Sequence, residues 1–180
     1  MLLNPSDDVN TPIIIDVEAS GFGVGSYPIE VGFVLPDGSP NCFLIAPLEE
    51  WVHWDQGAEK IHGIQRQTIV SHGRPIQEIA QLLNEQLADT IVYSDAWGND
   101  SSWLGLLFHS AGVAQQFRLE SIRALLNERQ IERWHETRNE VQLELGLERH
   151  RASSDARVLQ QTYLRTLECL NANHTLAPHF

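Results

Sequence analysis

The chain has 180 residues, of which 42% are hydrophobic and 20% are charged. This size and apolar content predict one compact domain over residues 1–180 and exclude a mainly disordered protein. The net charge of −12 argues against a protein that coats duplex nucleic acid or an anionic membrane through a basic surface. The first ten residues lack the pattern of a signal peptide, and no segment reaches the ~20 apolar residues of a membrane span. We therefore expect a cytoplasmic protein that does not enter a membrane.

The negative charge is concentrated in one part of the sequence. Residues 1–117 contain 15 acidic and three basic side chains, whereas residues 118–180 contain nine of each. Most of these carboxylates are expected on a solvated surface, but a few of them could converge on metal ions. The two cysteines, Cys42 and Cys169, are too far apart in sequence to indicate a disulfide framework or a zinc cluster.

Hydrophobic patterns predict a mixed α/β fold that begins with three strands. The predicted strands cover residues 12–18, 28–35, 42–46 and 90–94. Helical spacing of apolar residues predicts helices at 76–87 and around 104–107, a mainly helical stretch over 119–148, and a last helix over 154–171. The short connections between the first three strands indicate an antiparallel meander. The order β-β-β-α-β-α-α-α indicates a mixed sheet covered by helices.

Two acidic residues lie at the end of the first predicted strand. Because side chains alternate along a strand, Asp16 and Glu18 point to one face while Val17 points to the other. Two adjacent carboxylates repel each other, so a cation is expected between them, either an arginine or a divalent metal ion. The first basic residue in the sequence is Lys60.

Two further acidic residues are predicted at helix starts. Asp100 lies on the face of a helix that also carries Trp103 and Leu104. Asp155 follows His150 by five residues and opens the last helix, with Ser153 or Ser154 as the expected N-cap. Either aspartate could simply complement a helix dipole, and each pattern alone is weak evidence for a site.

Taken together, these motifs resemble the DEDDh 3′–5′ exonucleases, a group that includes oligoribonuclease, RNase T and polymerase proofreading exonucleases. The matching segments, in the family's order, are Asp16-x-Glu18 with Ser20-Gly21, Asp100-x-x-Trp-Leu, and His150-x4-Asp155. The segment Ile61-His62-Gly63-Ile64 is similar to a substrate-side segment of that family. The resemblance covers about residues 12–170.

The resemblance implies an RNase H-like fold with a mixed five-stranded sheet flanked by helices. It implies that two divalent ions, Mg²⁺ or Mn²⁺, are bound by four carboxylates and that a histidine is the general base. The implied ligands are Asp16, Glu18, Asp100 and Asp155, the implied base is His150, and the implied substrate contacts are Ser20, Gly21 and His62. The expected substrate is single-stranded or short RNA or DNA. Dimers are common among the small members of that family, so a homodimer is one of the states that the resemblance allows.

Other interpretations stay open at this stage. Asp95 stands where many members have asparagine, so it could join the metal site or repel a substrate phosphate. The acidic first half also fits a nuclease-fold module that binds a partner without turnover, and the same motifs fit a phosphodiesterase for small nucleotides. Trp103 is expected in the core, whereas Trp54 and Trp97 could either pack or stack on bases.

Overall fold

Five strands and six α-helices make up the fold in the computed structural model, which describes residues 11–174 and the side chains through residue 167. The strands are β1 Ile13–Ala19, β2 Pro28–Val34, β3 Pro40–Leu44, β4 Ile91–Ser94 and β5 Arg118–Ser121. The helices are α1 Gln56–His62, α2 Arg66–His72, α3 Ile76–Leu87, α4 Trp97–Ala111, α5 Glu128–Leu145 and α6 Ala152–His174. A 3-10 helix, Ile122–Leu125, precedes α5. The interpretation of residues 1–10 lies outside the described residues, and that of Cys169 concerns a side chain beyond those that the structure describes.

The strands form one mixed sheet in the order β3-β2-β1-β4-β5. β1 pairs antiparallel with β2, and β2 pairs antiparallel with β3. β4 lies parallel to β1 on its other side, and β5 lies parallel to β4. This topology confirms the predicted mixed five-stranded α/β sheet with three antiparallel strands first. Within residues 11–174, no helix is long and apolar enough to cross a membrane.

Several local predictions were wrong. Residues 118–121, largely assigned to a helical stretch, form β5, because their backbone groups pair with β4 rather than with one another. Two helices, α1 and α2, occupy the segment before α3 where no helix was predicted. The last helix begins at Ala152, so Ser153 and Ser154 lie inside its first turn and neither is the N-cap.

The two faces of β1 pack against different layers. Ile15 and Val17 belong to the larger core cluster, which includes apolar residues of α3 and α4. Ile14 belongs to a smaller cluster with Ala156 and Leu159 of α6. Because side chains alternate along the strand, Asp16 and Glu18 lie on the face that α6 covers. The fold therefore brings the carboxylates of the first strand toward the start of the last helix.

Candidate active site

The end of β1 supplies two partly buried carboxylates. Asp16 lies opposite Gly32 of β2, Glu18 lies opposite Glu30, and the pairing becomes irregular directly after Glu18. Burial, together with the negative charges of Asp100, Glu18 and Asp155, raises the pKa of Asp16 well above its ordinary value. Burial and the neighbouring Asp155 raise the pKa of Glu18 to about 7. The electrostatic effect of Asp155 reaches both residues, so the carboxylates from β1 and α6 form one charged group.

A third carboxylate comes from the first turn of α4. Asp100 is 1% exposed, and its Oδ2 atom accepts a hydrogen bond from the hydroxyl of Ser94 at the end of β4. The same Ser94 oxygen accepts the backbone N–H of Ala96 at 3.1 Å, which links the strand end to the helix start. Burial raises the pKa of Asp100 to about 7 in spite of the hydrogen bond from Ser94.

The turn before α6 brings a histidine and a fourth carboxylate together. His150 has a φ of 57°, in the left-handed region that residues other than glycine rarely adopt. Its backbone N–H donates to Oδ2 of Asp155 at 3.0 Å, which ties the turn to the helix. Potential ligand atoms of Glu18, His150 and Asp155 all lie within 4.8 Å of one another. The structure therefore brings Glu18 of β1 together with both predicted residues of the last motif, whereas Asp16 is linked to them electrostatically.

The donor set fits a divalent cation that prefers oxygen ligands. Burial raises the pKa of all four carboxyl groups, so a bound cation would stabilise their ionised forms. Two nearby arginines have other carboxylate partners, since Arg151 binds Glu30 and Arg138 binds Asp95. Carboxylate oxygens are the ligands that Mg²⁺ and Mn²⁺ prefer.

Asp95, the extra carboxylate, forms an ion pair at the edge of this group. Its Oδ2 atom lies 3.0 Å from Nη1 of Arg138 on α5, and both side chains are about one third exposed. Its negative charge still contributes to the raised pKa of Asp16, Asp100 and Asp155. The charge of Asp95 is therefore already paired with that of Arg138.

A cavity of about 240 Å³ opens beside Glu18 and His150. It is lined by Glu18, Ala19, Gly21, Phe22, Ala58, Ile61, His62, Trp103 and His150. The imidazole of His62 is 4% exposed, and its Nδ1 accepts the backbone N–H of Ile64 at 3.0 Å. Burial lowers the pKa of His62, which favours the neutral ring. Because Nδ1 accepts a hydrogen bond, the proton of the neutral ring is on Nε2. Among the described residues, that buried Nε2 has no hydrogen-bond partner.

The other predicted substrate contacts have different surroundings. Gly21 lines the cavity, but Ser20 is 1% exposed and its hydroxyl accepts the backbone N–H of Tyr27 at 3.1 Å. The Ser20 hydroxyl also lies 3.1 Å from Nδ1 of His53, so its polar groups are used within the protein. The substrate role of Ser20 stays a prediction.

The tryptophans are distributed between the cavity and the surface. Trp103 packs against the core but also lines the cavity, where its ring lies 6.0 Å from that of Phe22. Trp97 is 47% exposed, and its Nε1 donates to the carbonyl of Leu119 at 3.0 Å. Trp54 donates from Nε1 to Glu59 and packs edge-on against His62.

Sequence reasoning missed Glu30, a carboxylate in β2 that is 0% exposed. It binds Arg151 and the backbone of Ala152, both in the segment between His150 and Asp155. One signal was available, because a single acidic residue in the otherwise apolar strand 28–34 must find a partner when it is buried.

Solved structures of exonuclease I share this fold. The Escherichia coli enzyme in complex with a dA16 oligonucleotide is 14% identical at a TM-score of 0.61, covering 86% of this chain and 40% of that one. The zinc-bound form of the E. coli enzyme–ssDNA complex is 14% identical at a TM-score of 0.61, covering 88% and 40%. Exonuclease I of Methylocaldum szegediense is 17% identical at a TM-score of 0.54, covering 67% and 29%.

These likenesses define the class of fold. The chain has the fold of the exonuclease I structures, and it spans less than half the length of each of these three proteins. No protein-family model matches the sequence, and no curated protein matches it significantly. At this level of identity the comparison confirms the fold that the motifs predicted, and the reaction is inferred from the site.

Proposed function

We propose that this chain is a metal-dependent 3′–5′ exonuclease that hydrolyses phosphodiester bonds at the 3′ end of single-stranded or short DNA or RNA. The observation that carries the proposal is the convergence of Glu18, His150 and Asp155 within 4.8 Å, with Glu18 and His150 also lining a cavity. The charges of Asp100, Glu18 and Asp155 all act on Asp16, so the four carboxylates interact electrostatically. Carboxylates that converge from separate elements are typical of nuclease sites that bind divalent metal ions.

The proposed metal ligands are Asp16, Glu18, Asp100 and Asp155. Two divalent ions, Mg²⁺ or Mn²⁺, would supply Lewis-acid stabilisation of the negative charge that develops on the phosphate during hydrolysis. Bound cations would favour the ionised forms of the four carboxylates, which burial otherwise disfavours by raising the pKa of each.

The chain's own residues have distinct tasks in this proposal. The His150 side chain lies beside the carboxylates of Glu18 and Asp155 and also lines the cavity. Its imidazole can therefore accept the proton of an attacking water. The cavity receives the 3′-terminal nucleoside, whose base packs against Phe22 and Trp103. His62 donates its buried Nε2–H to an acceptor on that nucleoside, which supplies the partner that this atom lacks within the described protein.

The nucleic acid is proposed to be single-stranded. The ligands in the similar structures support this choice, since E. coli exonuclease I was solved with dA16 and with dT13 oligonucleotides. The net charge of −12 also favours a substrate that is bound locally, near the cations, over a long duplex bound along a basic surface. A homodimer and a cytoplasmic location stay predictions.

The test uses DNA and RNA oligomers of two, five and 20 residues, incubated with Mn²⁺, Mg²⁺ or EDTA. We expect stepwise removal of mononucleotides from the 3′ end that stops in EDTA. Turnover restricted to the dinucleotides would identify a small-nucleotide phosphodiesterase instead. No cleavage by folded protein would identify a partner-binding module.

Two substitutions test the role of the cavity in this assay, His62→Phe as the test and His109→Phe as its control. His62→Phe keeps a planar ring but removes the Nε2–H donor, so KM is expected to rise by ~10-fold with a smaller change in kcat. His109→Phe, on the exposed side of α4, is expected to change neither constant.

A further inference from the structure

Glu30 lies in the centre of β2, directly opposite Glu18 in the register of β1 and β2. Its side chain is 0% exposed, although a buried carboxylate without partners is costly. Both of its oxygens are occupied. Oε1 accepts from Nε and Nη2 of Arg151 at 3.1 and 2.7 Å, and Oε2 accepts from Nε of Arg151 at 3.2 Å and from the backbone N–H of Ala152 at 2.9 Å.

The first turn of α6 lies against β2 at this point. A Cβ atom on Gly32 would be 2.2 Å from the backbone nitrogen of Ser153 and 2.6 Å from the carbonyl carbon of Ala152. Only glycine permits so close an approach of helix and strand. Glu30, two residues away on the same face, therefore meets the helix at a fixed separation.

The segment that Glu30 binds lies between two residues of the candidate site. Arg151 directly follows His150, whose φ of 57° is unfavourable for a residue with a side chain. Ala152 begins the helix whose first turn carries Asp155. A strained turn persists only when its surroundings hold it in place, and the contacts of Glu30 fall on the two residues directly after the strained one.

We infer that Glu30 is a positioning residue that holds the turn from His150 to Asp155 in the conformation that brings both side chains to Glu18. The inference rests on the proposed function for its catalytic consequence. Glu30 does not contact the substrate cavity, since it is absent from the lining and completely buried. It accepts three charge-assisted hydrogen bonds from the guanidinium of Arg151 and one from the backbone N–H at the start of α6, and such bonds are strong and directional.

The test compares Glu30→Gln with Glu144→Gln. Glu144 on α5 also binds an arginine of α6 through both oxygens, at 2.9 and 2.6 Å from the guanidinium of Arg165, but its side chain is 59% exposed. Both substitutions therefore remove the charge from an ion pair in which an arginine contacts both carboxylate oxygens, and only the pair of Glu30 with Arg151 adjoins His150. Arg151→Lys, which keeps the charge but loses the planar fork, is the second variant if Glu30→Gln does not fold.

Two readouts separate positioning from a general loss of stability. The first is amide hydrogen exchange at His150, whose N–H donates to Asp155. The second is Mn²⁺ affinity, measured by calorimetry on folded protein. For Glu30→Gln we expect exchange at His150 to become at least ~10-fold faster and Mn²⁺ binding to weaken ~10- to 100-fold. Glu144→Gln should change neither by more than about twofold.

The kinetic readout is kcat on a 20-residue oligomer, which is expected to fall ~10- to 100-fold in Glu30→Gln while KM changes less than about threefold. A folded Glu30→Gln protein with wild-type exchange at His150 and wild-type Mn²⁺ affinity would overturn the inference. If the wild-type protein cuts no oligomer, the proposed function fails, but hydrogen exchange at His150 still decides whether Glu30 holds the turn.

Discussion

The backbone N–H of His150 donates to Oδ2 of Asp155 at 3.0 Å, so the proposed general base and a proposed metal ligand are fixed by the same turn. The two roles of Asp155, as acceptor and as charge, can be separated by substitution. Asp155→Asn keeps an oxygen that can accept the His150 N–H, whereas Asp155→Ala removes it.

We expect both Asp155 variants to lose at least ~100-fold in kcat, because each removes a charged ligand. Only Asp155→Ala should lose stability, by about 1 kcal/mol for the missing acceptor, which lowers the midpoint of thermal unfolding by about 3 °C. Oligomer hydrolysis and calorimetry measure the two effects. An Asp155→Asn protein with wild-type kcat would show that the carboxylate binds no essential metal ion.

The substitution His150→Asn separates the loss of the proposed general base from a change in the conformation of the turn. Asparagine tolerates positive φ better than most residues, so the conformation at 57° is expected to persist. Without an imidazole to accept the proton, kcat should fall ~10²- to 10⁴-fold, whereas the unfolding midpoint should change by less than about 3 °C. His150→Gly, which also fits positive φ, serves as the control for the turn. Activity close to wild type in either variant would remove His150 from the mechanism.

The sequence was sufficient to predict the elements whose apolar pattern is local. The β-branched run before Asp16 predicted a strand over 12–18, and the structure has Ile13–Ala19. The same alternation correctly put Asp16 and Glu18 on one face. The motif resemblance then predicted a five-stranded sheet, although the apolar pattern alone had indicated only four strands.

The sequence did not predict the features that depend on contacts between distant segments or on backbone conformation. β5 has only four residues and is a strand because its backbone pairs with β4, a contact that its own sequence does not encode strongly. Glu30 acquires its role from Arg151, which is 121 positions away in sequence. The turn at His150 likewise became visible only through its backbone conformation.

Asp95→Asn tests whether the extra carboxylate belongs to the metal site. Because Asp95 pairs with Arg138 at 3.0 Å, we expect kcat and Mn²⁺ affinity to stay within about threefold of wild type. The partly exposed ion pair contributes at most ~1 kcal/mol, so the loss of stability should be small. Asp100→Asn is the paired variant and should lose at least ~100-fold in kcat. A loss of that size in Asp95→Asn would make Asp95 a ligand.

Stability in the absence of metal ions should depend on pH. The pKa of Glu18 and that of Asp100 are each raised to about 7 by burial, from ordinary values of 4.5 and 3.8. Between roughly pH 4 and 7 the folded state therefore binds more protons than the unfolded state, and stability falls as pH rises through this window. In EDTA the unfolding midpoint should therefore decrease from pH 5 to pH 8, by about 5 °C or more.

Mn²⁺ at pH 8 should reverse that decrease, because it binds the ionised carboxylates of the folded state. Glu18→Gln is the control, since it removes one of the titrating groups and should make the profile shallower. Asp37 and Glu144 have a lowered pKa and act mainly below about pH 5, whereas the lowered pKa of His62 opposes part of the decrease. A midpoint that rises with pH in EDTA would contradict the account.

The most direct test of the proposed activity is the product pattern from a 5′-labelled 20-residue single strand, followed over time with Mn²⁺ for the wild-type protein and Asp155→Asn. The account predicts a ladder of products that shorten one nucleotide at a time from the 3′ end, and no ladder in EDTA or with the variant. Internal cleavage, a ladder that survives EDTA, or an intact strand in the presence of folded protein and Mn²⁺ would contradict it.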